Sequence, residues 1–143
     1  YGLFETYKLD DAEWALVIIN SAAGTAKDAV DKLRAEGKKV GLLKIRVFRP
    51  FPAEEIAEAL KNVKAIAVMD RCEGFSSQGG PLGAEVKSAL YTAGATSKVV
   101  DYVYGIGGRD VRVENIEEVY NALFDILETG NVGETYRYLS LRD

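Results

Sequence analysis

Two glycine-rich segments contain the residues with the clearest potential for chemistry. Residues 74–81 have the sequence Gly-Phe-Ser-Ser-Gln-Gly-Gly-Pro, and residues 105–109 have the sequence Gly-Ile-Gly-Gly-Arg. Each segment precedes a predicted helix, where free backbone N–H groups can bind a carboxylate or a phosphate. Arg71 and Arg109 could add charge-assisted hydrogen bonds if the two segments are neighbours. The candidate anion-site residues are therefore Arg71, Gly79, Gly80, Gly107, Gly108 and Arg109.

Neither segment has a complete nucleotide-binding motif. In residues 105–109 the third glycine comes too early for G-x-G-x-x-G, and no Gly-Lys-Ser/Thr follows residues 74–81. The alternative for residues 105–109 is a tight turn that needs positive φ angles. The alternative for residues 74–81 is a connection or a subunit contact. We favour both alternatives over an anion site.

Residues that usually carry out acid–base or covalent chemistry are scarce. The chain has no His, and Cys72 is its one cysteine. Without a His to activate the thiol, Cys72 is interpreted as an inert, partly buried residue. A single cysteine can form neither a disulfide nor an iron–sulfur cluster within this chain. Nothing in the sequence divides Asp70, Glu73 and Asp110 into an acid and a base, so we assign no catalytic residue and no metal ligand.

A small basic cluster, Lys44, Arg46 and Arg49, lies near the end of a predicted strand. These side chains could pair with acidic residues of a partner subunit. The alternative is the solvated end of a half-exposed strand, and we favour that alternative.

The composition is that of an ordinary globular domain. The chain has 143 residues, 48% of them hydrophobic and 28% charged, which suits one domain with a proper core. The formal net charge of -4 argues against a nucleic-acid partner, and no apolar run approaches the ~18 residues of a membrane span. The opening residues lack a signal peptide and an initiator Met. We therefore expect a cytoplasmic protein and a piece of a longer chain.

The hydrophobic pattern predicts four strands that alternate with four helices. The strands are predicted at residues 14–19, 40–48, 65–69 and 99–103. The helices are predicted at residues 26–35, at residues 53–61, from Pro81 onwards, and up to Gly130. The apolar stripes of the last two helices are Leu82, Val86, Ala89, Leu90 and Ala93, and Ile116, Val119, Tyr120, Leu123 and Leu127. This alternation indicates a three-layer α/β/α fold with a mainly parallel sheet.

Ligands of such folds usually bind beyond the carboxyl ends of the strands. Here that edge would consist of residues 20–25, 48–52, 71–80 and 104–110. We divide the single domain into an N-terminal segment (residues 1–13), an α/β core (residues 14–130) and a tail (residues 131–143). Both ends are rich in aromatic residues and lie outside the alternation, so we expect their rings to dock on a surface outside this chain.

Five segments, taken in order, resemble the landmarks of one known domain. They are residues 4–13, 40–52, 67–71 followed by 79–86, 105–110, and 138–142. Together they resemble the transketolase C-terminal-like domain, domain II, of the alpha subunit of 2-oxoacid:ferredoxin oxidoreductases. The stretch Phe-Arg-Pro-Phe-Pro at residues 48–52 is most similar to the pyruvate branch. One departure is Asn20 before Ser21, where the family usually has Gly.

The resemblance implies a role within a larger enzyme. The complete enzymes of this family convert a 2-oxoacid and coenzyme A to an acyl-CoA and CO2, and they reduce ferredoxin. Their thiamine diphosphate, Mg and iron–sulfur clusters are held by other domains or subunits, and this chain has no thiamine Gly-Asp-Gly…Asn motif. We therefore expect no cofactor and no catalytic residue here. The implied role is to brace the thiamine-binding domains and to contact other domains and subunits of the complex.

Two other functions are compatible with parts of the sequence. The chain could bind an anion, such as part of CoA, at residues 71–80 and 105–109. It could also be a stand-alone nucleotide-binding enzyme, but that requires a complete phosphate loop and a positioned base, and the sequence has neither. The structural role is the one we prefer.

Overall fold

The described residues form six strands and four helices. The structure is a computed structural model of the chain, and it describes residues 4–19, 23–45, 53–71, 81–95, 97–104, 113–129 and 136–138. The elements in chain order are β1 (Phe4–Tyr7), β2 (Trp14–Ile19), α1 (Ala23–Ala35), β3 (Val40–Ile45), α2 (Ala53–Leu60), β4 (Ala65–Arg71), α3 (Pro81–Thr92), β5 (Lys98–Tyr104), α4 (Val113–Thr129) and β6 (Tyr136–Tyr138).

All six strands belong to one sheet with the order β1-β3-β2-β4-β5-β6. Strands β2 to β6 are parallel to one another, and β1 is antiparallel to β3. The sheet is therefore mainly parallel, which confirms the prediction from the alternation of strands and helices. The continuous apolar runs of β2 and β4 lie next to each other in the middle, where both faces of a strand are covered.

Helices cover both faces of the sheet, which confirms the three-layer architecture. Successive side chains of a strand point to opposite faces. Leu16 and Ile18 of β2 belong to the cluster under α1 and α4. Ala15 and Val17 belong to the cluster under α2 and α3. All four are fully buried, so β2 contributes to both halves of the core.

The crossover connection from β5 to β6 has the opposite handedness to the three crossovers that precede it, from β2 to β3, from β3 to β4 and from β4 to β5. The step from β2 to β3 and the step from β5 to β6 run in opposite directions across the sheet. Their helices, α1 and α4, nevertheless share one face and pack against each other. Crossovers of the unusual hand are rare. In the crossover from β5 to β6, the apolar stripe of α4 packs over the central strands β2 and β4, beside α1.

The helix ends show where the predicted boundaries are right and where they are wrong. Helix α1 begins at Ala23 rather than at residue 26, because residues 23–25 already adopt helical geometry. Gly37, with φ 87°, ends α1 as predicted: its N–H bonds to the Arg34 carbonyl, and the Lys38 N–H bonds to the Leu33 carbonyl.

Helix α3 also ends before a glycine with positive φ. Its last residue is Thr92, one residue before Ala93, the last member of the predicted apolar stripe. Gly94 has φ 76° and terminates the helix, which leaves Ala93 beyond it and exposed, so its placement in the core stripe is wrong. Val86, Ala89 and Leu90 are buried as predicted. The buried members of the predicted α4 stripe are Ile116, Val119, Tyr120 and Leu123. Ile126, which was not in the predicted stripe, is also buried. The side chains of Leu82 and Leu127 lie outside the described residues.

The aromatic chain ends pair with the sheet of this chain. Strand β1 forms one edge of the sheet and β6 forms the other. Phe4 packs against the core under α2 and α3, and Tyr7 packs against the core under α1 and α4. The expectation that these rings dock outside the chain is therefore wrong for Phe4 and Tyr7. Four residues are enough for an edge strand once β3 supplies a partner.

The N-terminal segment crosses β3 very closely at Gly41. A Cβ at this position would lie 2.9 Å from Leu9 Cα, from Leu9 Cδ1 and from the Lys8 carbonyl oxygen. Lys8 takes the left-handed conformation, with φ 53°, at this crossing. The Tyr120 hydroxyl donates a hydrogen bond of 2.6 Å to the Gly41 carbonyl, and burial raises the pKa of this tyrosine, which keeps the donor proton in place. Only glycine fits this crossing.

We predict that Gly41→Ala lowers the free energy of unfolding by about 1–3 kcal/mol, because the added methyl group overlaps backbone atoms. The matched control is Gly24→Ala in α1, where a Cβ meets nothing within 4 Å. That control should leave stability unchanged or raise it by up to about 1 kcal/mol, because alanine favours helix. Urea unfolding of the two variants measures both effects. Equal effects at the two positions would contradict the close crossing.

Candidate functional site

The carboxyl ends of the parallel strands lie along one edge of the sheet. Ile19 of β2 is paired with Ile45 of β3, and Arg71 of β4 is paired with Tyr104 of β5. The predicted ligand-binding segments follow these strand ends in the chain. This edge is therefore the candidate functional site.

The structure places the ends of β4 and β5, the strands that precede the candidate anion-site segments in the chain, side by side. Arg71 is the last residue of β4, and its backbone pairs with Tyr104, the last residue of β5. The segments after β4 and β5 thus leave the sheet from neighbouring positions, as the anion-site hypothesis requires. The Arg71 side chain and five further candidates lie outside the described residues: Gly79, Gly80, Gly107, Gly108 and Arg109. The same applies to Arg46, Arg49 and Cys72, and Lys44 is partly buried on β3.

The strand order has a topological switch point between β2 and β4, a position on this edge that sequence reasoning missed. β2 and β4 are neighbours, but the chain proceeds from β2 to α1 on one face and from β4 to α3 on the other. In open α/β sheets, ligands bind in the crevice at such a switch point. The segments that follow β2 and β4 in the chain start at residues 20 and 72. Strand order is needed to locate the switch point, and hydrophobic periodicity does not reveal strand order.

Arg34 fastens the N-terminal segment to α1 and β3. Its Nε donates to the Val40 carbonyl at 2.8 Å, and one terminal nitrogen donates to the Lys8 carbonyl at 2.7 Å. The same nitrogen lies 2.6 Å from an Asp11 carboxylate oxygen. The guanidinium hydrogen bond lowers the pKa of the Asp11 carboxyl, so this carboxyl stays ionised beside the arginine. One side chain thus joins three separate parts of the chain.

A second group of contacts joins β1 to α1. The Tyr7 hydroxyl and the Lys8 ammonium each donate to Asp31 at 2.7 Å. The hydrogen bond from Lys8 is the main cause of a lowered pKa at Asp31, and Tyr7 adds to it. Lys27 lies over the Tyr7 ring at 5.5 Å and bonds to Glu5 at 3.2 Å. Three charged residues of the N-terminal segment, Glu5, Lys8 and Asp11, therefore make internal contacts with α1.

An open groove of about 750 Å³ runs between α2 and α3 on the other face. Its lining combines small residues, such as Ala57, Ser88 and Ala95, with charged residues on the rim. No sequence motif indicated this groove, because it depends on the packing of two helices that are far apart in the chain. The spacing of small residues on α2 and α3 is the one signal that could have drawn attention to it.

Two features are absent from the described residues. Within the described ranges, no group of three or more His, Cys, Asp or Glu residues could hold a metal ion. In the part of the chain that the structure describes, no helix has both the length and the apolar character needed to cross a membrane.

The fold is shared with a known oxidoreductase. The solved structure of a 2-oxoglutarate:ferredoxin oxidoreductase from Magnetococcus marinus, with 2-oxoglutarate, coenzyme A and succinyl-CoA bound, matches with a TM-score of 0.63. The match covers 85% of this chain and 19% of that chain, at 21% sequence identity. At this identity the match concerns the fold. It identifies the chain as an α/β/α domain of the kind that such oxidoreductases contain.

Sequence comparison identifies the family. The model of the pyruvate:ferredoxin oxidoreductase core domain II matches residues 12–116. Pyruvate synthase subunit PorA of Methanosarcina barkeri is 41% identical over 142 residues, which are 99% of this chain and 35% of that protein. Ketoisovalerate oxidoreductase subunit VorA of Pyrococcus furiosus is 42% identical over 140 residues, 98% of this chain and 35% of that protein. The chain belongs to the pyruvate:ferredoxin oxidoreductase core domain II family. It spans 35% of the length of both relatives.

We predict that Arg34→Lys lowers the free energy of unfolding by about 1–2 kcal/mol, because lysine cannot serve both carbonyls and Asp11 with one planar group. The reciprocal exchange on the same helix, Lys32→Arg, is the control. Lys32 is 57% exposed and pairs with Glu117 at 3.0 Å, so this exchange should change stability by less than about 0.5 kcal/mol. Thermal or urea unfolding distinguishes the two, and a harmless Arg34→Lys exchange would exclude the fastening role.

Proposed function

We propose that this chain is domain II of the alpha subunit of a 2-oxoacid:ferredoxin oxidoreductase. The complete complex would convert a 2-oxoacid and CoA to an acyl-CoA and CO2 with reduction of ferredoxin. The observation that carries this proposal is the similarity to PorA and VorA, at 41% and 42% identity, over nearly the whole chain. The names of both relatives describe them as subunits, so the partners proposed here are the other domains and subunits of such a complex.

Within that complex we propose a structural and subunit-contact role without catalytic residues. Two relatives whose names specify different 2-oxoacids, pyruvate and ketoisovalerate, match this chain equally well. Equal similarity is what a domain that does not contact the 2-oxoacid should show. The internal links made by Arg34 and Asp31 give this domain the rigidity that a bracing role needs. The choice of pyruvate as substrate rests on the residues at positions 48–52 alone.

The cofactors of the complex are proposed to lie in other domains or subunits. Iron–sulfur clusters are usually held by four cysteine thiolates, and this chain has one cysteine and no His. Thiamine diphosphate and Mg would likewise be held elsewhere, and ferredoxin and CoA would be reached through the complete complex. A cytoplasmic location is proposed, because a chain with a single cysteine suits a reducing compartment.

Substitution of the reactive side chains at the carboxyl edge tests the absence of catalytic residues. In the complete complex, Asp70→Asn, Cys72→Ser and Asp110→Asn should each lower kcat less than about tenfold, because loss of a catalytic acid or base costs about 10²–10⁴-fold. Asp125→Asn, at an exposed position of α4, is the control for handling and assembly. The measurement is 2-oxoacid-dependent ferredoxin reduction. A loss of more than about a hundredfold in one variant, with the complex still assembled, would show a catalytic role.

A second candidate function is the binding of part of CoA, or of another anion, at the carboxyl edge. The observation that favours it is the register of β4 and β5, because the segments carrying the anion-site candidates start at paired residues, Arg71 and Tyr104. Backbone N–H groups and two arginines converging there would suit a phosphate group.

We predict, for this second candidate, that Arg109→Ala weakens CoA binding by about tenfold or more, as loss of a charge-assisted hydrogen bond implies. If Arg109 contacts CoA rather than a buried network, the same variant should change the free energy of unfolding by less than about 0.5 kcal/mol, as substitutions at surface positions usually do. Calorimetric titration of the complex with CoA gives the affinity, and urea unfolding of the variant gives the stability. An unchanged affinity would exclude Arg109 from a CoA site, and a large loss of stability would place it in a structural network instead.

A further inference from the structure

The first and the last described strands connect to the rest of the sequence at the same edge of the sheet. Phe4, the first residue of β1, is paired with Ile45, the last residue of β3. Tyr138, the last residue of β6, is paired with Val103, one residue before the end of β5. Because β1 is antiparallel and β6 is parallel to the central strands, the chain enters β1 and leaves β6 at the carboxyl edge.

This path determines where a longer polypeptide is attached to the domain. Three residues precede Phe4 in the sequence and five follow Tyr138, and five residues span at most about 18 Å. We propose that the rest of the alpha-subunit polypeptide packs on the carboxyl edge of this domain and leaves the opposite, amino edge uncovered. The inference rests on the proposed function, because it takes this chain, which corresponds to 35% of PorA and of VorA, as one domain of such a subunit.

The amino edge, where the parallel strands begin, is closed by contacts within the domain. The Glu13 N–H donates a hydrogen bond of 2.9 Å to the Lys39 carbonyl. The Lys64 N–H donates to the Glu13 carbonyl at 2.9 Å, and the Lys98 N–H donates to the Lys64 carbonyl at 3.0 Å. A row of backbone hydrogen bonds therefore links the beginnings of the four central strands. These backbone groups are satisfied without any further polypeptide.

The two edges also differ in their basic residues. Four exposed lysines lie at the amino edge: Lys38, Lys39, Lys61 and Lys64. The segments that follow β3, β4 and β5 in the chain, residues 46–52, 72–80 and 105–112, contain four arginines and no lysine. Arginine is enriched in protein interfaces and lysine is depleted there, because the planar guanidinium is less strongly hydrated and forms several directed hydrogen bonds. This distribution favours the carboxyl edge as the contact surface.

The carboxyl edge is large enough for a contact between two domains. Six strands about 4.8 Å apart give a sheet about 24 Å wide. A layer of helices about 10 Å in diameter on each face makes the domain roughly 30 Å thick. Interfaces between domains of one chain typically bury about 600–1,500 Å², so a contact of this kind extends over much of the edge.

Helix α4 runs from the carboxyl edge to the amino edge and offers a probe position at each. The ring of Phe124 packs at 4.6 Å against the ring of Trp14, the first residue of β2. Glu114 precedes Phe124 by about 15 Å along the helix axis, which is nearly the length of β2. Glu114 is therefore level with the carboxyl edge, whereas Glu128 lies beyond Phe124, at the amino edge.

Helix α2 offers a second pair of probe positions on the other face of the sheet. It follows the carboxyl end of β3 and precedes the amino end of β4. Glu55, in its first turn, therefore lies near the carboxyl edge, and Asn62, after its last residue, lies near the amino edge. Both side chains are exposed, as are those of Glu114 and Glu128, so differences in labelling within a pair report on what covers the domain.

Thiol labelling of the complete complex tests which edge is covered. The variants are Glu114→Cys with its control Glu128→Cys, and Glu55→Cys with its control Asn62→Cys. Mass spectrometry reports the rate of maleimide labelling at each introduced thiol. We expect labelling about tenfold or more slower at positions 114 and 55 than at their controls, because the covered form should dominate the population. Equal rates within both pairs, or slower labelling at an amino-edge position, would overturn the proposal.

Photochemical cross-linking identifies what covers the edge. The photoreactive residue p-benzoylphenylalanine replaces Glu114 in one variant and Glu55 in another, and mass spectrometry identifies the linked peptide after irradiation of the complete complex. A link to a part of the same polypeptide outside residues 1–143 is expected. Links to a different subunit alone, or no link from either position, would overturn the proposed occupant.

These two readouts are independent of turnover. Rapid labelling at positions 114 and 55 in an active complex refutes the contact and leaves the proposed function intact. Failure of the proposed function appears instead as an absence of 2-oxoacid-dependent ferredoxin reduction in the unsubstituted complex.

Discussion

The crossing of the N-terminal segment over the start of β3 is the contact on which the rest of the domain depends. At Gly41 the backbone of Leu9 comes so close that no Cβ fits. The carbonyls of Val40 and Gly41 accept hydrogen bonds from Arg34 of α1 and Tyr120 of α4, respectively. Two adjacent residues of one strand therefore hold together two helices and the segment that leads into β2. A buried carbonyl that lacks a hydrogen-bond partner costs folding free energy, so these contacts depend on one another.

The contacts that stabilise the fold and the segments that could bind a ligand or a subunit lie at opposite ends of the strands. The dense contacts lie at the amino end of β3, where residues 8–12 and the end of α1 meet. The segments with potential for ligand or subunit contact follow the carboxyl ends of the strands, at the opposite edge. Ligands of α/β sheets bind at that carboxyl edge, so its residues can vary while the amino end keeps the fold. A family whose relatives act on different 2-oxoacids can retain one such domain.

The four central strands and four helices were predictable because their apolar patterns are strong. The run Trp14–Ile19 is apolar throughout, and Gly37 marks a helix end by its need for positive φ. Strand β1 was missed because Phe4–Tyr7 has only four residues and gains its stability from β3 rather than from its own pattern. Strand order, the fastening role of Arg34 and the α2–α3 groove arise from contacts between distant segments. Of the candidate site, the sequence predicted which segments follow the strand ends, and the register added that Arg71 and Tyr104 are neighbours.

This domain is proposed to support the oxidoreductase without determining its chemistry. A domain exchange tests it most directly: this chain replaces the matching 140 residues in the VorA subunit of the Pyrococcus furiosus ketoisovalerate oxidoreductase. The quantity to measure is the ratio of kcat/KM for ketoisovalerate to kcat/KM for pyruvate in the assembled chimeric complex. A structural domain predicts an unchanged ratio. A shift of that ratio toward pyruvate would show that the domain contributes to substrate choice, and would contradict the account.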